Sequence, residues 1–172
     1  METLECIKTR RSKRKFLNKE VPQETIEKII DAGKCAPSSH DGQPWKFYII
    51  KKKQLKEKLA AIDHEENQPI ILACDFILLI CVDTEKSPAR FIEDGVLAAQ
   101  NMSLAIHDLG LGCVYFSAYK LDDAKRAENI REILSLPEKL MPIAMLPTGY
   151  FDPKEKLEPK NLKDHKELIE YC

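Results

Sequence analysis

Neither sign of charge dominates this chain: 27 Lys and Arg residues face 28 Asp and Glu residues, for a formal net charge of −1. That balance gives no global reason to expect a nucleic-acid or anionic-membrane partner, although it leaves room for a local patch. Long hydrophobic runs are missing too. The most apolar stretch, Ile70 to Val82, is 13 residues long with Asp75 inside it, well short of the roughly 20 that cross a bilayer. The opening residues, Met1-Glu2-Thr3-Leu4-Glu5, are acidic and carry no apolar export segment. Six cysteines are scattered without a CxxC pair. They read as reduced thiols, several of them core residues, and the expected location is the cytoplasm. Repeats, low-complexity tracts and Gly/Ser linkers are absent. With 44% hydrophobic residues, 172 residues suit a single domain, 1–172, with a sizeable core.

Several chemistries lack their motifs. No GxGxxG follows a strand and no GxxxxGK[ST] occurs, so neither usual nucleotide cradle is available. The four histidines (His40, His64, His107, His165) are too far apart for a zinc site. No GxSxG elbow is present. Nothing marks one cysteine as a nucleophile, though a Cys/His pair stays open.

What is present is an alternation of helices and strands without a regular βαβ beat. Pro22 to Cys35 opens with Pro at a helix start and carries Ile26, Ile29, Ile30 and Gly33 at helical spacing. Trp45 to Ile50 predicts a strand, and Gln54 to Ala61 a short helix. Phe76 to Val82 is seven apolar residues in a row, which fits a strand buried on both faces. A helix starting at Ser87-Pro88 and running to Leu109 is apolar nearly all round, the mark of a core or subunit-interface helix. Gly95, Ala98 and Ala99 would let another backbone approach it closely. Gly110-Leu111-Gly112 stops it. Cys113 to Phe116 predicts a strand, Asp122 caps a helix to about Leu134, and Pro142 to Tyr150 forms a last strand. The final twenty or so residues, charged and broken by Pro, belong on a surface. The pattern favours an α+β fold with a sheet flanked by helices.

Two segments carry polar chemistry. Arg10-Arg11-Ser12-Lys13-Arg14-Lys15 packs five cations into six residues after a short N-terminal helix. It reads either as a solvated basic run, with nucleic acid or another polyanion as partner, or as a phosphate clamp. In the clamp, guanidinium groups bind phosphate oxygens bidentately and Ser12 adds a neutral hydrogen bond. Ala36-Pro37-Ser38-Ser39-His40-Asp41-Gly42-Gln43-Pro44-Trp45 is a stiff loop rich in small polar groups. It is either a plain turn or the edge of a site for a planar heteroaromatic ligand. Trp45 fits the core better than a ligand platform.

Together these features resemble the nitroreductase family of FMN-dependent oxidoreductases. The RRSxRxF opening (Arg10 to Phe16), APSSxxxQPWxF (Ala36 to Phe47), the AAQNMSLAIHDLGLG helix (Ala98 to Gly112) and a strand ending in Gly149-Tyr150 occur in the family's order. The resemblance spans about Thr3 to Lys163. It implies a central, mostly antiparallel sheet flanked by helices and an intertwined homodimer. Each of two FMN sites would be built from both chains, with the tail from about 151 to 172 packing on the partner subunit.

Carried over by position, the resemblance puts Arg10, with Arg11 beside it, on the FMN phosphate. Ser12 falls on the flavin or ribityl edge and Arg14 beside N1/O2. Pro37, Ser38, Ser39 and Asp41 would come from the partner subunit. Asn67 would contact the pyrimidine ring, and Ser117 and Ala118 would lie where a backbone N–H meets flavin N5. Lys160 is a second candidate cation for the phosphate. Arg14, Ser117 and Ala118 are thus the expected catalytic contacts. The implied reaction is hydride transfer from NAD(P)H through the flavin to a nitroaromatic, quinone or flavin, in a ping-pong cycle. A specialised free-flavin reductase or a dehalogenase-like enzyme is the alternative within the fold; a non-catalytic polyanion-binding module is the alternative outside it. Three departures stand out. Asp41 replaces a frequent Asn, Ile70 falls where some members have Lys, and Lys53 to Pro69 is shorter than the usual lid region.

Overall fold

The computed structural model describes residues 1–119, 124–155 and 159–172. The apolar run beginning at Phe76 forms the central strand, β2 (Phe76–Asp83 in full), and all its residues are buried. We number the strands in chain order: β1 (Trp45–Ile50), β2, β3 (Gly112–Cys113), β4 (Phe116–Ser117) and β5 (Leu140–Gly149). Side chains alternate across β2, so Phe76, Leu78 and Ile80 enter one core layer while Ile77, Leu79 and Cys81 enter the other. β1 pairs antiparallel with one edge of β2 and β5 with the other. The far edge of β5 takes β3 and β4 in turn, both antiparallel.

The single strand expected over Cys113 to Phe116 is therefore two. The break lies opposite Pro147, whose carbonyl still accepts from Val114 N–H at 3.4 Å. Pro147 has no N–H to return, so the ladder is interrupted there.

The helices are α1 (Thr3–Thr9), α2 (Gln23–Lys34), α3 (Lys53–Ala61), α4 (Gln68–Ala73), α5 (Phe91–Asp108) and α6 (Lys125–Leu134). Ile26 and Ile29 of α2 join Ala98, Ala99, Met102 and Ile106 of α5 on one face of the sheet. Leu59 and Ala60 of α3, Ile70 and Ile71 of α4 and Ile130 of α6 cover the other. The α+β class and the antiparallel sheet thus stand as expected. The α6 start falls after Asp122, which lies outside the described residues. Helix α4 is an addition: the segment after Asn67 leads into a short helix before β2, and Ile70 is a buried core residue of it.

One detail of α5 differs from expectation, while its burial in the core is one of the two settings expected. The helix begins at Phe91, three residues beyond Pro88. Its small-residue stripe faces this chain's own sheet. A Cβ at Gly95 would stand 2.6–2.8 Å from three atoms of Ile143. Ile143 is the extra residue of a β-bulge in β5, where the pairing with β2 slips between Ile80 and Cys81. Gly110, at φ 75°, ends the helix as expected. Beyond β5 the described residues of the tail are largely exposed, including Leu162, Leu168, Ile169 and Tyr171.

Candidate cofactor site

The basic run is pinned along β3 and the end of β5: Lys13 N–H donates to Cys113 O (2.9 Å) and Leu17 N–H to Tyr150 O (2.8 Å). Gly112 permits this approach, since a Cβ there would meet Lys13 Cβ at 2.6 Å. Lys13 itself is spent inside the chain. Its Nζ sits 3.2 Å from Glu155 and 4.2 Å over the Phe151 ring. Arg10 and Ser12 instead line a cleft of about 230 Å³ with Val96, Gln100, Ser103, Cys113 and Tyr115. Among the described residues no carboxylate pairs with Arg10, Arg11 or Arg14.

Two further basic groups share this neighbourhood. Lys160 Nζ donates to the carbonyls of Ile7 (3.2 Å) and Lys8 at the end of α1. One of its three N–H groups stays uncommitted. Burial, and then the charges of Arg10 and Arg11, hold the Lys160 pKa below its ordinary value. His107 lies 2.9 Å from Thr9 Oγ1, whose proton goes to Glu5 O, so the imidazole Nε2–H is the donor. Burial first and Arg10 second push the His107 pKa down; Lys160 and Lys13 add to this and Asp108 opposes it. The charges of Arg10 and Arg11 thus act on Lys160, and that of Arg10 on His107, so these groups share one electropositive neighbourhood. Cys113 is not a nucleophile here, because burial pushes its thiol up to about 12.

The second expected segment forms a strained loop. His40, Asp41 and Gln43 all have positive φ (52°, 52° and 43°), which L residues seldom adopt. Ser38 Oγ accepts from Gln43 N–H (3.1 Å), and Asp41 Oδ1 from Gln43 Nε2 (3.1 Å). The loop is anchored from below by Asp94 on α5, which is 2% exposed. Its carboxylate accepts from Ser39 N–H (2.9 Å) and Ser87 Oγ (2.7 Å), while its backbone carbonyl accepts from Trp45 Nε1 (2.9 Å). Trp45 is half-buried against the core, as expected. Pro37, Ser38 and Ser39 border a second cleft, of about 270 Å³, with Arg90, Glu93, Asp94 and Leu97.

Other expected residues are not among those lining the two clefts. Asn67 donates from Nδ2 to Asp63 Oδ1 (2.9 Å), and Asp63 forms a bidentate pair with Arg126 of α6. That pairing holds the Asp63 carboxyl below its ordinary pKa although burial alone would raise it. Arg14 and Asp41 are exposed. The Ala118 N–H donates to Ile143 O at 2.9 Å and so is already used. In an antiparallel ladder bonded and non-bonded pairs alternate, so the N–H of Ser117, one residue earlier and opposite Ala144, points away from β5. The Ser117 hydroxyl donates to Tyr119 O.

The structure therefore brings Arg10 and Ser12 together, with Arg11 and Lys160 close enough to share their field, and separately groups Pro37, Ser38 and Ser39. On α5 the first cleft is lined by Val96, Gln100 and Ser103 and the second by Glu93, Asp94 and Leu97, with Arg90 just ahead of the helix. At about 100° per residue, Asp94 and Leu97 are turned away from the first group and Glu93 lies between the two. Between the clefts runs an exposed ridge that includes Val96 (39% exposed) and Leu97 (42%). Gln100, Ser103, Tyr115, His107 and Asp94 are site features the sequence did not announce.

Comparison with known proteins agrees with this architecture. The Nitroreductase family model matches residues 7–77 and 65–150. A protein of Methanothermobacter thermautotrophicus with the provisional name NADH dehydrogenase/NAD(P)H nitroreductase is 39% identical over 166 residues, covering 95% of this chain and 84% of its own length. An FMN-dependent nitroreductase of Clostridium difficile superposes with a TM-score of 0.86 at 28% identity, covering 98% of both chains. A nitroreductase of Desulfovibrio desulfuricans solved with FMN superposes at 0.84, with 28% identity, 96% of this chain and 94% of its own. The chain belongs to the nitroreductase family and is an FMN-dependent oxidoreductase. The residues present fit the cofactor: a cleft with an unpaired guanidinium and a hydroxyl suits a phosphate monoester, and the polar loops offer contacts for a ring. No described helix is long and apolar enough to cross a membrane.

Proposed function

We propose that the chain, a single domain over residues 1–172, works in the cytoplasm as a homodimer whose two FMN sites each draw on both subunits. The observation that carries this reading is the pair of clefts flanking the exposed ridge of α5. A two-fold contact is isologous, and with its axis along α5 a ridge packed on its own copy sets the loop cleft of one subunit against the Arg10 cleft of the other. The exposed apolar residues of the tail support its packing on the partner.

FMN held in this site would supply hydride-transfer chemistry between NAD(P)H and an acceptor such as a nitroaromatic, quinone or flavin, in a ping-pong cycle. The chain's residues bind and orient. Arg10, with Arg11 and Lys160 behind it, holds the phosphate, and Ser12 adds a neutral hydrogen bond. Arg14, exposed and free of a carboxylate among the described residues, stabilises negative charge on the N1/O2 side. Asn67, its amide oriented by Asp63, meets the pyrimidine edge. Of the pair Ser117 and Ala118, Ser117 carries the N5 contact, because the Ala118 N–H is engaged by Ile143. Pro37, Ser38, Ser39 and Asp41 close the site from the partner. Asp41, as a carboxylate, accepts from flavin N3–H and disfavours negative charge beside it. Solvent protonates the product.

An absorbance spectrum followed by anaerobic addition of NADH or NADPH tests this. Flavin bands that bleach are expected, and the faster donor is the preferred one. Bands that persist with both donors would shift the reading to a specialised member with another reductant. A colourless protein that takes up no FMN would contradict it.

A further inference from the structure

We infer that Asp94 is a positioning residue for the FMN site of the opposite subunit; the inference rests on the two-subunit site proposed above. Its carboxylate is buried on the inner edge of α5 and joins two parts of the chain far apart in sequence. Oδ1 accepts from Ser39 N–H at 2.9 Å and Oδ2 from Ser87 Oγ at 2.7 Å. The Asp94 carbonyl adds the Trp45 indole at 2.9 Å, which fixes the strand that leaves the loop. These bonds bracket Ser39 to Gln43, which contains three residues at positive φ. Such a conformation persists only where its surroundings over-determine it. Among the described residues no lysine, arginine or histidine is bonded to the Asp94 carboxylate. Its role is thus to accept two hydrogen bonds that hold a strained loop in one shape.

On α5 the loop's cleft is lined by Glu93, Asp94 and Leu97, whereas the Arg10 cleft is lined by Val96, Gln100 and Ser103, and Asp94 is not among the residues of the latter. Losing Asp94 therefore leaves its own subunit's phosphate cleft intact and disorders the loop that serves the partner. This predicts an effect that acts in trans, which a general loss of stability would not produce.

The test uses full-length heterodimers with two affinity tags, one subunit carrying Arg10→Ala and the other Asp94→Ala. Acting in trans, both defects fall in one site and the other site is wholly wild type. The heterodimer should then bind one FMN with wild-type affinity, while each homodimer binds FMN at least tenfold more weakly. A heterodimer with no wild-type site would overturn the inference, as would an Asp94→Ala homodimer of unchanged affinity. An Arg10→Ala homodimer of unchanged affinity would instead remove the site reading beneath it. If Asp94→Ala does not fold, Asp94→Asn and Ser87→Ala take its place in the same design. Asp94→Asn keeps an acceptor for Ser39 and should lose less than threefold; Ser87→Ala frees one carboxylate oxygen and should lose more than Asp94→Asn. The reverse order would overturn the inference.

Discussion

Gly95→Ala is the substitution most sharply predicted by the packing. In an isolated helix it would stabilise, by about 1 kcal/mol. Here the added methyl would lie 2.6, 2.8 and 2.8 Å from Ile143 Cγ1, Cβ and Cγ2. Those atoms sit at the root of a β-branched side chain, not at a flexible tip, and Ile143 is itself buried in the β5 bulge. Overpacking of this kind costs about 1–3 kcal/mol, more where neither side can yield. The net expectation is destabilisation by about 1–2 kcal/mol, a fall in Tm of a few degrees for a chain this long. The effect should reach the site, since Ile143 O holds the Ala118 N–H. Urea unfolding of the apoprotein measures the first part and FMN affinity the second. Adding Ile143→Ala removes both Cγ atoms, so the double variant should lose less than the sum of the singles. A Gly95→Ala protein more stable than wild type would refute the argument.

Other expectations follow from the site's electrostatics. Asp63→Ala strands the Arg126 guanidinium and frees the Asn67 amide; it should cost about 3–5 kcal/mol in urea unfolding and weaken FMN binding as well. Because the folded Asp63 pKa is depressed, its contribution is present at neutral pH and is lost as pH falls through that folded value. His107 has the opposite chemistry. Its folded pKa lies below the ordinary value near 6.5, so the unfolded chain takes up more protons as pH drops from there, and apoprotein stability declines over that window. His107→Asn should flatten the decline, read as Tm between pH 5 and 8. Bound phosphate neutralises Arg10 and Lys160 and so raises the His107 pKa. FMN affinity relative to His107→Asn should therefore rise as pH falls below about 6.5 and match it above pH 7. Arg14→Ala should lower the reduction potential of the bound flavin with little change in FMN affinity, as spectroelectrochemistry would show.

Where a signal is carried by neighbours in sequence, the fold was legible. The unbroken apolar run of β2 and the Trp45–Ile50 strand were readable because burial on both faces, or one, imposes a local pattern. Gly95, Ala98 and Ala99 show where such reading stops. Small residues announce a close approach but not the partner, and here the partner is Ile143 of the same chain. Helix α4 is only six residues long, too short for periodicity to declare it. The split between β3 and β4 depends on Pro147, which lies opposite only after β5 has folded onto them. The same holds for the site. Arg10, Ser12 and the Pro37–Ser39 loop were visible as unusual local chemistry. The bonds of Asp94 to Ser39 and Ser87, the contact of His107 with Thr9 and the engagement of the Ala118 N–H by Ile143 are tertiary hydrogen bonds that no local pattern encodes.

The central claim, that the Arg10 cleft binds the phosphate of FMN, is tested most directly by titrating the apoprotein with FMN and with riboflavin, which lacks the phosphate. Charge-assisted bonds of about 1.5–3 kcal/mol each predict that wild type prefers FMN by at least about a hundredfold. The preference should collapse in Arg10→Ala while riboflavin affinity stays the same. Equal affinity for the two flavins in wild type, or an undiminished preference in Arg10→Ala, would contradict the account.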